Sequence, residues 1–221
     1  MDRKAVLFLN GHYHTGDRSL AKSLIRKSVP EPLIIAVDGG LAFLQKINCR
    51  PAYWLTDLDS APRIKRGFLS KTRLLIYPPH KDKTDGELAV ELSLQHRIFD
   101  LTFFGWYDRT YETDHLLGNL LLGRHFLKTT SSLRVSYMSY DQEARFLHDE
   151  TQTLAGYKGW HLSVIPLSTR ITLSLSGTEY AAKRLFIRQG QTVALRNRIT
   201  YGEARVTVKG TALVLIRRQP R

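Results

Sequence analysis

The sequence predicts an α/β protein in two parts: a mostly parallel α/β domain over residues 1–150, then a small antiparallel β domain over 151–221. Three observations carry this. Short apolar runs alternate with helical patterns in the first half. Acidic or glycine-rich segments stand at the ends of those runs. Beyond residue 150 the chain changes to short alternating runs separated by glycines.

Lys4 to Asn10 reads as a buried strand that enters a loop at Asn10-Gly11. Leu33 to Val37 repeats the pattern and ends in Asp38-Gly39-Gly40; a short helix follows with Leu41, Leu44 and Ile47 on one face. Ala52 to Leu55 is the third strand, followed by Thr56-Asp57-Leu58-Asp59-Ser60. Leu74 to Tyr77 is the fourth, stopped by Pro78-Pro79. Thr84 and Glu87 have capping-box spacing ahead of a helix whose stripe is Leu88, Ala89 and Leu92. Leu101 to Phe104 is the fifth strand. Thr113 caps a helix with Leu116, Leu117, Leu120 and Leu121 on one face, and Leu133 to Met138 closes the first half. In the second half, runs at 162–165, 171–175, 192–195, 204–208 and 212–216 are punctuated by Gly159, Gly177, Gly190, Gly202 and Gly210. Their spacing suits a small antiparallel β-sandwich or barrel.

The 221 residues are 43% apolar and 24% charged, which excludes a disordered chain. No apolar run approaches the roughly 20 residues of a membrane span. The run behind the N-terminus is too brief for a secretory signal. One cysteine, Cys49, excludes an internal disulfide and a four-thiolate zinc site. The expectation is a cytoplasmic protein without a membrane partner. The formal charge of +13 invites a nucleic-acid partner, but the cations are scattered and no zinc-finger, RRM or homeodomain spacing occurs. A basic nucleic-acid binder is therefore the different-class alternative, with a solvated basic surface as the default.

The acids are more informative than the bases. Asp38 follows one strand, and Asp57 and Asp59 follow the next. Asp82 and Asp85 stand between a strand and a helix, and Asp114 lies in a first helical turn. Ligands of open α/β sheets bind at the carboxyl ends of strands. Carboxylates meeting there would repel one another unless a cation joined them. Mg²⁺ takes oxygen ligands and pairs carboxylates with phosphate oxygens. The competing reading is structural: acids favour helix N-termini and turns. Gly11-His12-Tyr13-His14-Thr15-Gly16 has half a P-loop, but Asp17 stands where the lysine belongs, so that motif is rejected. His12 and His14 read as loop histidines.

Asp38-Gly39-Gly40, Thr56-Asp57-Leu58-Asp59-Ser60, Asp82-Lys83-Thr84-Asp85 and Asp114-His115-x-x-x-Asn119 resemble, in order and spacing, the motifs of thiamin pyrophosphokinases: D-G-G, G-D-F-D-S, D-x-T-D and G-G-R-x-D-H-x-x-x-N. Val164-Ile165-Pro166-Leu167 and Arg196-Asn197 extend the likeness into the second half. The resemblance implies an N-terminal Rossmann-like α/β domain that binds nucleotide and metal, and a C-terminal β-sandwich that binds the acceptor and dimerises. It implies a homodimer with active sites at the subunit interface. It also implies Mg²⁺-dependent transfer of diphosphate from ATP to thiamin, giving thiamin diphosphate and AMP. Asp57, Asp59 and Asp85 would then bind the metal and act with Asp114 in catalysis. Asp38, Gly39, Gly40, Asp82, Arg109, His115, Asn119, Arg196 and Asn197 would serve the ligands.

The sequence departs from the family pattern at Thr56 and Leu58, at the 105–113 loop, where Glu112 occupies the arginine position, and at Arg196, which replaces a serine. Arg109 is the expected substitute for the missing arginine. A cation at 196 opposes the fixed charge of thiamin. This leaves a different planar alcohol, or a catalytically impaired relative, as alternatives.

Overall fold

The computed structural model describes residues 3–59, 61–78, 82–107, 113–130 and 132–219. Two compact units, residues 1–140 and 141–221, make up the chain.

The first unit is a parallel sheet with helices. In chain order it contains β1 (Lys4–Phe8), α1 (Asp17–Lys27), β2 (Leu33–Val37), α2 (Gly40–Lys46), β3 (Tyr53–Thr56), β4 (Arg73–Ile76), α3 (Asp85–Gln95), β5 (Asp100–Phe104), α4 (Thr113–Thr129) and β6 (Arg134–Met138). The strand order is β6-β5-β1-β2-β3-β4, and every pairing within it is parallel. Parallel strands need cover on both faces, which is why β1 and β2 are apolar without alternation. Val6, Phe8, Ile34, Ala36 and Trp54 point to one face, where they share a core with Ala21 of α1 and with Leu41, Phe43 and Leu44 of α2. The intervening residues Leu7 and Ile35, both fully buried, face the other side, where α3 packs on β2 and β3. Burying each such side chain contributes about 1.5–3 kcal/mol.

The second unit contains β7 (Gln142–His148), β8 (Thr151–Ala155), β9 (His161–Pro166), β10 (Arg170–Ser176), β11 (Ala182–Arg188), β12 (Asn197–Arg198), β13 (Glu203–Lys209) and β14 (Thr211–Arg217). These form two antiparallel sheets, in the orders β12-β9-β14-β7 and β11-β10-β13-β8. Leu162, Val164, Val214 and Ile216 from one meet Ile171, Leu173, Val206 and Val208 from the other in one buried core. Near the start of β7, the carboxylate of Glu143 accepts from the Tyr157 hydroxyl at 2.6 Å and from Arg145 at 2.5 Å. Burial and the Glu143 charge push the Tyr157 hydroxyl well above its ordinary pKa.

Two sequence expectations change, and one helix is added. Residues 192–195 are not a strand; they form a loop and turn, and the strand of that region is β11. Helix α1, unforeseen, fills the β1–β2 crossover. The α4 stripe is only partly covered, with Leu117 and Leu121 52% and 55% exposed. The second unit begins at Asp141 because β7 pairs with β14 along its whole length.

Asp17 explains why the 11–16 loop is not a phosphate loop. Its carboxylate is 1% exposed and accepts from the backbone N–H groups of His14 at 2.7 Å and Tyr140 at 2.6 Å. Burial pushes its carboxyl up, against the lowering effect of those bonds, of the Ser139 hydroxyl and of His14. His14 stacks on Tyr140 with ring centroids 5.0 Å apart and accepts from the Gly16 N–H. Asp17→Ala strands two buried donors and is expected to cost about 2–3 kcal/mol of stability. Denaturant melts would show this as a lower midpoint at an unchanged slope, and Asp17→Asn, which keeps one acceptor, would fall between. An unshifted midpoint in the alanine variant would remove Asp17 from the loop's support.

Candidate active site

All the acid motifs of the first unit lie on loops or helix starts that follow parallel strands, and so at one edge of the sheet. At Asp38 the chain leaves β2 in the left-handed region, φ +44°. The residue is fixed there by its N–H on the Leu55 carbonyl at 2.8 Å and by its own carbonyl, which accepts from the Trp54 indole at 3.1 Å. Helix α2 then starts against the end of β1: a Cβ on Gly40 would overlap the Phe8 carbonyl, and one on Gly39 would overlap the Asn10 amide. The D-G-G motif is thus a close backbone approach at the sheet edge, and Asn10, not singled out from the sequence, stands beside it.

After β3, the fully buried Thr56 hydroxyl accepts from the Leu58 N–H at 2.9 Å, and Asp57 Oδ1 accepts from the Asp59 N–H at 3.0 Å. Leu58 sits at φ +72°. Leucine holds that conformation only at a cost of about 1–3 kcal/mol, a strain typical of functional turns. The turn leaves Asp57 half-buried and Asp59 exposed. Asp82 is exposed and Asp85, the first residue of α3, is half-buried. Thr84 caps α3 as expected, accepting from the Glu87 N–H at 3.2 Å. Lys83 is paired with Glu91 at 2.5 Å.

Gly86 of α3 rests against Leu122 and Asn119 of α4. The Asn119 side-chain Nδ2 donates to the Trp106 carbonyl at 2.9 Å, and the Asn119 backbone carbonyl accepts from the Tyr137 hydroxyl at 2.5 Å. Asn119 therefore ties α4 to the ends of β5 and β6. Asp114 and His115 are exposed in the first turn of α4, with Asp114 Oδ1 accepting from the His115 N–H. Arg109 lies outside the described residues.

The edge thus gathers two groups: Asp38 with the 56–59 turn, linked through Leu55, and Asp85 with Asn119, linked through Gly86. Among the described residues no three His, Cys, Asp or Glu side chains come close enough to form a metal cage. The donor chemistry nonetheless fits Mg²⁺, which is usually held by one or two carboxylates together with phosphate oxygens and water rather than by protein alone.

In the second unit, Arg196 is exposed at φ +56°, its N–H on the Ser163 hydroxyl at 2.9 Å. Asn197 is buried. Its Oδ1 accepts from the N–H of Tyr180 at 3.1 Å and of Arg198 at 2.9 Å, and its Nδ2 donates to the Tyr180 carbonyl at 2.7 Å. It pins the segment that presents Tyr180, a 70% exposed aromatic ring. Sequence reasoning passed over Tyr180; an aromatic residue three positions after Gly177 was the available signal.

An open parallel sheet with carboxylates on its C-terminal edge, followed by a two-sheet antiparallel unit, defines an α/β class whose ligands bind at the carboxyl ends of the strands. A family model described as "Thiamin pyrophosphokinase, catalytic domain" matches residues 26–135, which span every first-unit motif. The thiamine pyrophosphokinase of Bacillus subtilis (strain 168) is 26% identical over 206 residues, 91% of this chain and 94% of that protein. The fold matches the crystal structure of thiamine pyrophosphokinase from Bacillus subtilis with a TM-score of 0.80 at 21% identity, covering 99% of this chain and 100% of that one. It matches thiamin pyrophosphokinase from Candida albicans with a TM-score of 0.78 at 15% identity, covering 99% and 90%. By family model, curated relative and fold alike, the chain is similar to thiamin pyrophosphokinases, which are diphosphotransferases.

Asn197→Ala removes three hydrogen bonds and leaves the Tyr180 backbone without them. The expected loss is about 1–3 kcal/mol, read as a lower thermal midpoint. An unchanged midpoint would mean that Tyr180 is held by other contacts.

Proposed function

We propose that this protein transfers the β,γ-diphosphate of ATP to the hydroxyl of thiamin, giving thiamin diphosphate and AMP, in the cytoplasm and as a homodimer. The single observation that carries the reading is the ordered set of acid motifs within the matched residues 26–135. The hydroxyl oxygen attacks the β-phosphorus, and the bond from that phosphorus to the oxygen bridging it to the α-phosphate breaks. Its electron pair leaves with AMP, and the hydroxyl proton passes to a carboxylate or to water.

Mg²⁺, when bound, neutralises charge on the phosphate oxygens. Asp57, Asp59 and Asp85 would hold it, with Asp38 and Asp82 in support. Asp114, exposed at a helix start, would orient the acceptor hydroxyl. Arg109 and His115 would contact phosphate. Asn119 and Asn197 would act by positioning, since their side chains bind the fold itself. Transfer of this kind is accelerated mainly by positioning and charge neutralisation. Tyr180 offers an open aromatic face to a cationic ring, worth about 0.5–2 kcal/mol. The partly exposed Leu117 and Leu121 stripe of α4 supports burial against a second copy. Residues 1–150 would be the nucleotide and metal domain, and 151–221 the acceptor and dimer domain.

Purified protein with ATP, Mg²⁺ and thiamin should release AMP and thiamin diphosphate in equal amounts, and EDTA should stop both. Asp57→Asn and Asp85→Asn should each lower kcat by about 10²-fold or more, the scale of losing one preorganised charge-stabilising group. Tyr180→Ala should raise the thiamin KM with little change in kcat. No AMP release with thiamin, but release with another planar alcohol, would move the acceptor. The exposed Arg196 motivates that second reading, and higher thiamin turnover in Arg196→Ser would keep thiamin with a mild charge clash.

A further inference from the structure

The positive charge of this chain is scattered in sequence, but strand register gathers part of it. In the sheet β11-β10-β13-β8, Ile171, Leu173, Leu175, Ile187, Val206 and Val208 point into the core. Their neighbours along each strand therefore share the opposite, solvent face. Register pairs Arg170 with Arg188 directly, and the next row runs Phe186, Thr172, Lys209. Further along, Ser174 pairs with Thr207, which pairs with Thr151, and then Ser176 pairs with Arg205, which pairs with Thr153. Arg170, Arg188, Arg205 and Lys209 are all exposed, and among the described residues none forms an ion pair. Like charges set directly opposite disfavour a sheet, and Arg170 and Arg188 are such a pair. The acid on this face is Glu203, at its far end.

Phe186 stands in the middle of the cations, 68% exposed. Between the cations and Glu203 the face carries the hydroxyl side chains Thr172, Ser174, Thr207, Thr151 and Thr153. Unpaired cations for phosphates, an open aromatic ring for a base and short hydroxyl side chains for sugar and phosphate oxygens are what a single-stranded nucleic acid requires. An open sheet face with an isolated exposed ring suits unstacked bases better than a closed duplex. We infer that the outer face of this four-stranded sheet binds single-stranded nucleic acid through its phosphates, with a base on Phe186. The inference does not rest on the diphosphotransferase reading and concerns none of the side chains to which that reading gives an individual role.

The test is fluorescence anisotropy of the full-length protein with a labelled 20-nucleotide oligouridylate. Engagement of the four cations predicts an affinity that falls about 50-fold between 50 and 200 mM salt, from a slope of roughly −0.7 per phosphate. Arg170→Gln/Arg188→Gln/Lys209→Gln should weaken binding at least tenfold while AMP release from ATP and thiamin stays at the wild-type level. Phe186→Ala should weaken the single strand about tenfold and leave binding of a duplex of equal length unchanged. Lys22→Gln/Arg26→Gln/Lys27→Gln on α1 changes the net charge equally and should leave affinity unaltered. Circular dichroism checks folding, and Arg205→Gln with Phe186→Ala serves if the triple variant fails to fold. Wild-type affinity in the sheet variants, equal loss in the α1 variant, or a preference for duplex would overturn the inference. So would binding to phosphatidylserine vesicles without binding to the oligonucleotide, or a dimer that the triple variant dissociates.

Discussion

The first unit depends on how closely its backbone packs at the C-terminal edge of the parallel sheet. Beyond the last residues of β1 and β5, hydrogen bonds continue from Leu9 to Phe104, Gly11 to Gly105 and His12 to Tyr107, at 2.9, 3.0 and 2.7 Å. A side chain at Gly11 would overlap the Gly105 carbonyl. A gap between neighbouring strand ends is a place where an open α/β sheet can take a ligand. Here it is zipped by backbone. The acids follow β2 and β3 and begin α3 and α4. Backbone pairing continues there too, from Asp38 to Leu55 and from Tyr77 to Thr56, so the carboxylates are presented by loops and helix starts that the sheet edge itself holds.

A second consequence concerns how polar side chains are divided between holding the fold and meeting solvent. Asp17, Asn119 and Asn197 are buried or half-buried, and each has its polar atoms on backbone partners. A buried carboxylate without such donors would be strongly unfavourable, so Asp17 is committed to its two N–H groups. Asp59, Asp82 and Asp114 are exposed, and Asp57 and Asp85 only half-buried. Solvent reaches these carboxylates directly. A tight preformed cage of three carboxylates would be repulsive without an ion; acids spread along an edge avoid that penalty.

This division also sets what the sequence could reveal. Strands β1, β2 and β5 were legible because a parallel strand covered on both faces must be apolar throughout. The caps and acid motifs were legible because their chemistry is local. Helix α1 was not: among its residues only Asp17 and Ala21 are fully buried, and one of these is an acid. Residues 192–195 alternate like a strand but serve as the turn before β12, while β11, with Lys183, Arg184 and Arg188 facing solvent, carries too little apolar pattern to be seen. Asn119 and Asn197 matched family positions, yet nothing in their neighbours along the chain discloses partners 13 and 17 residues away. Long-range hydrogen bonds by single polar side chains leave no periodic trace.

The same argument applies to charge. Two-residue periodicity and antiparallel register are enough to bring Arg170, Arg188, Arg205 and Lys209 to one surface although they come from three strands. No local count of basic residues can find such a group, because on each strand the intervening positions are core. In the first unit the equivalent geometry works on acids: strands running in parallel present their ends, and the residues after them, along one line. Parallel order therefore collects carboxylates at an edge and antiparallel order collects cations on a face, within a single chain of net charge +13. Composition registers only the sum of the two. The chemistry lies in how each sheet type sorts its charges, so one basic chain carries an acidic sheet edge in one unit and a cationic sheet face in the other.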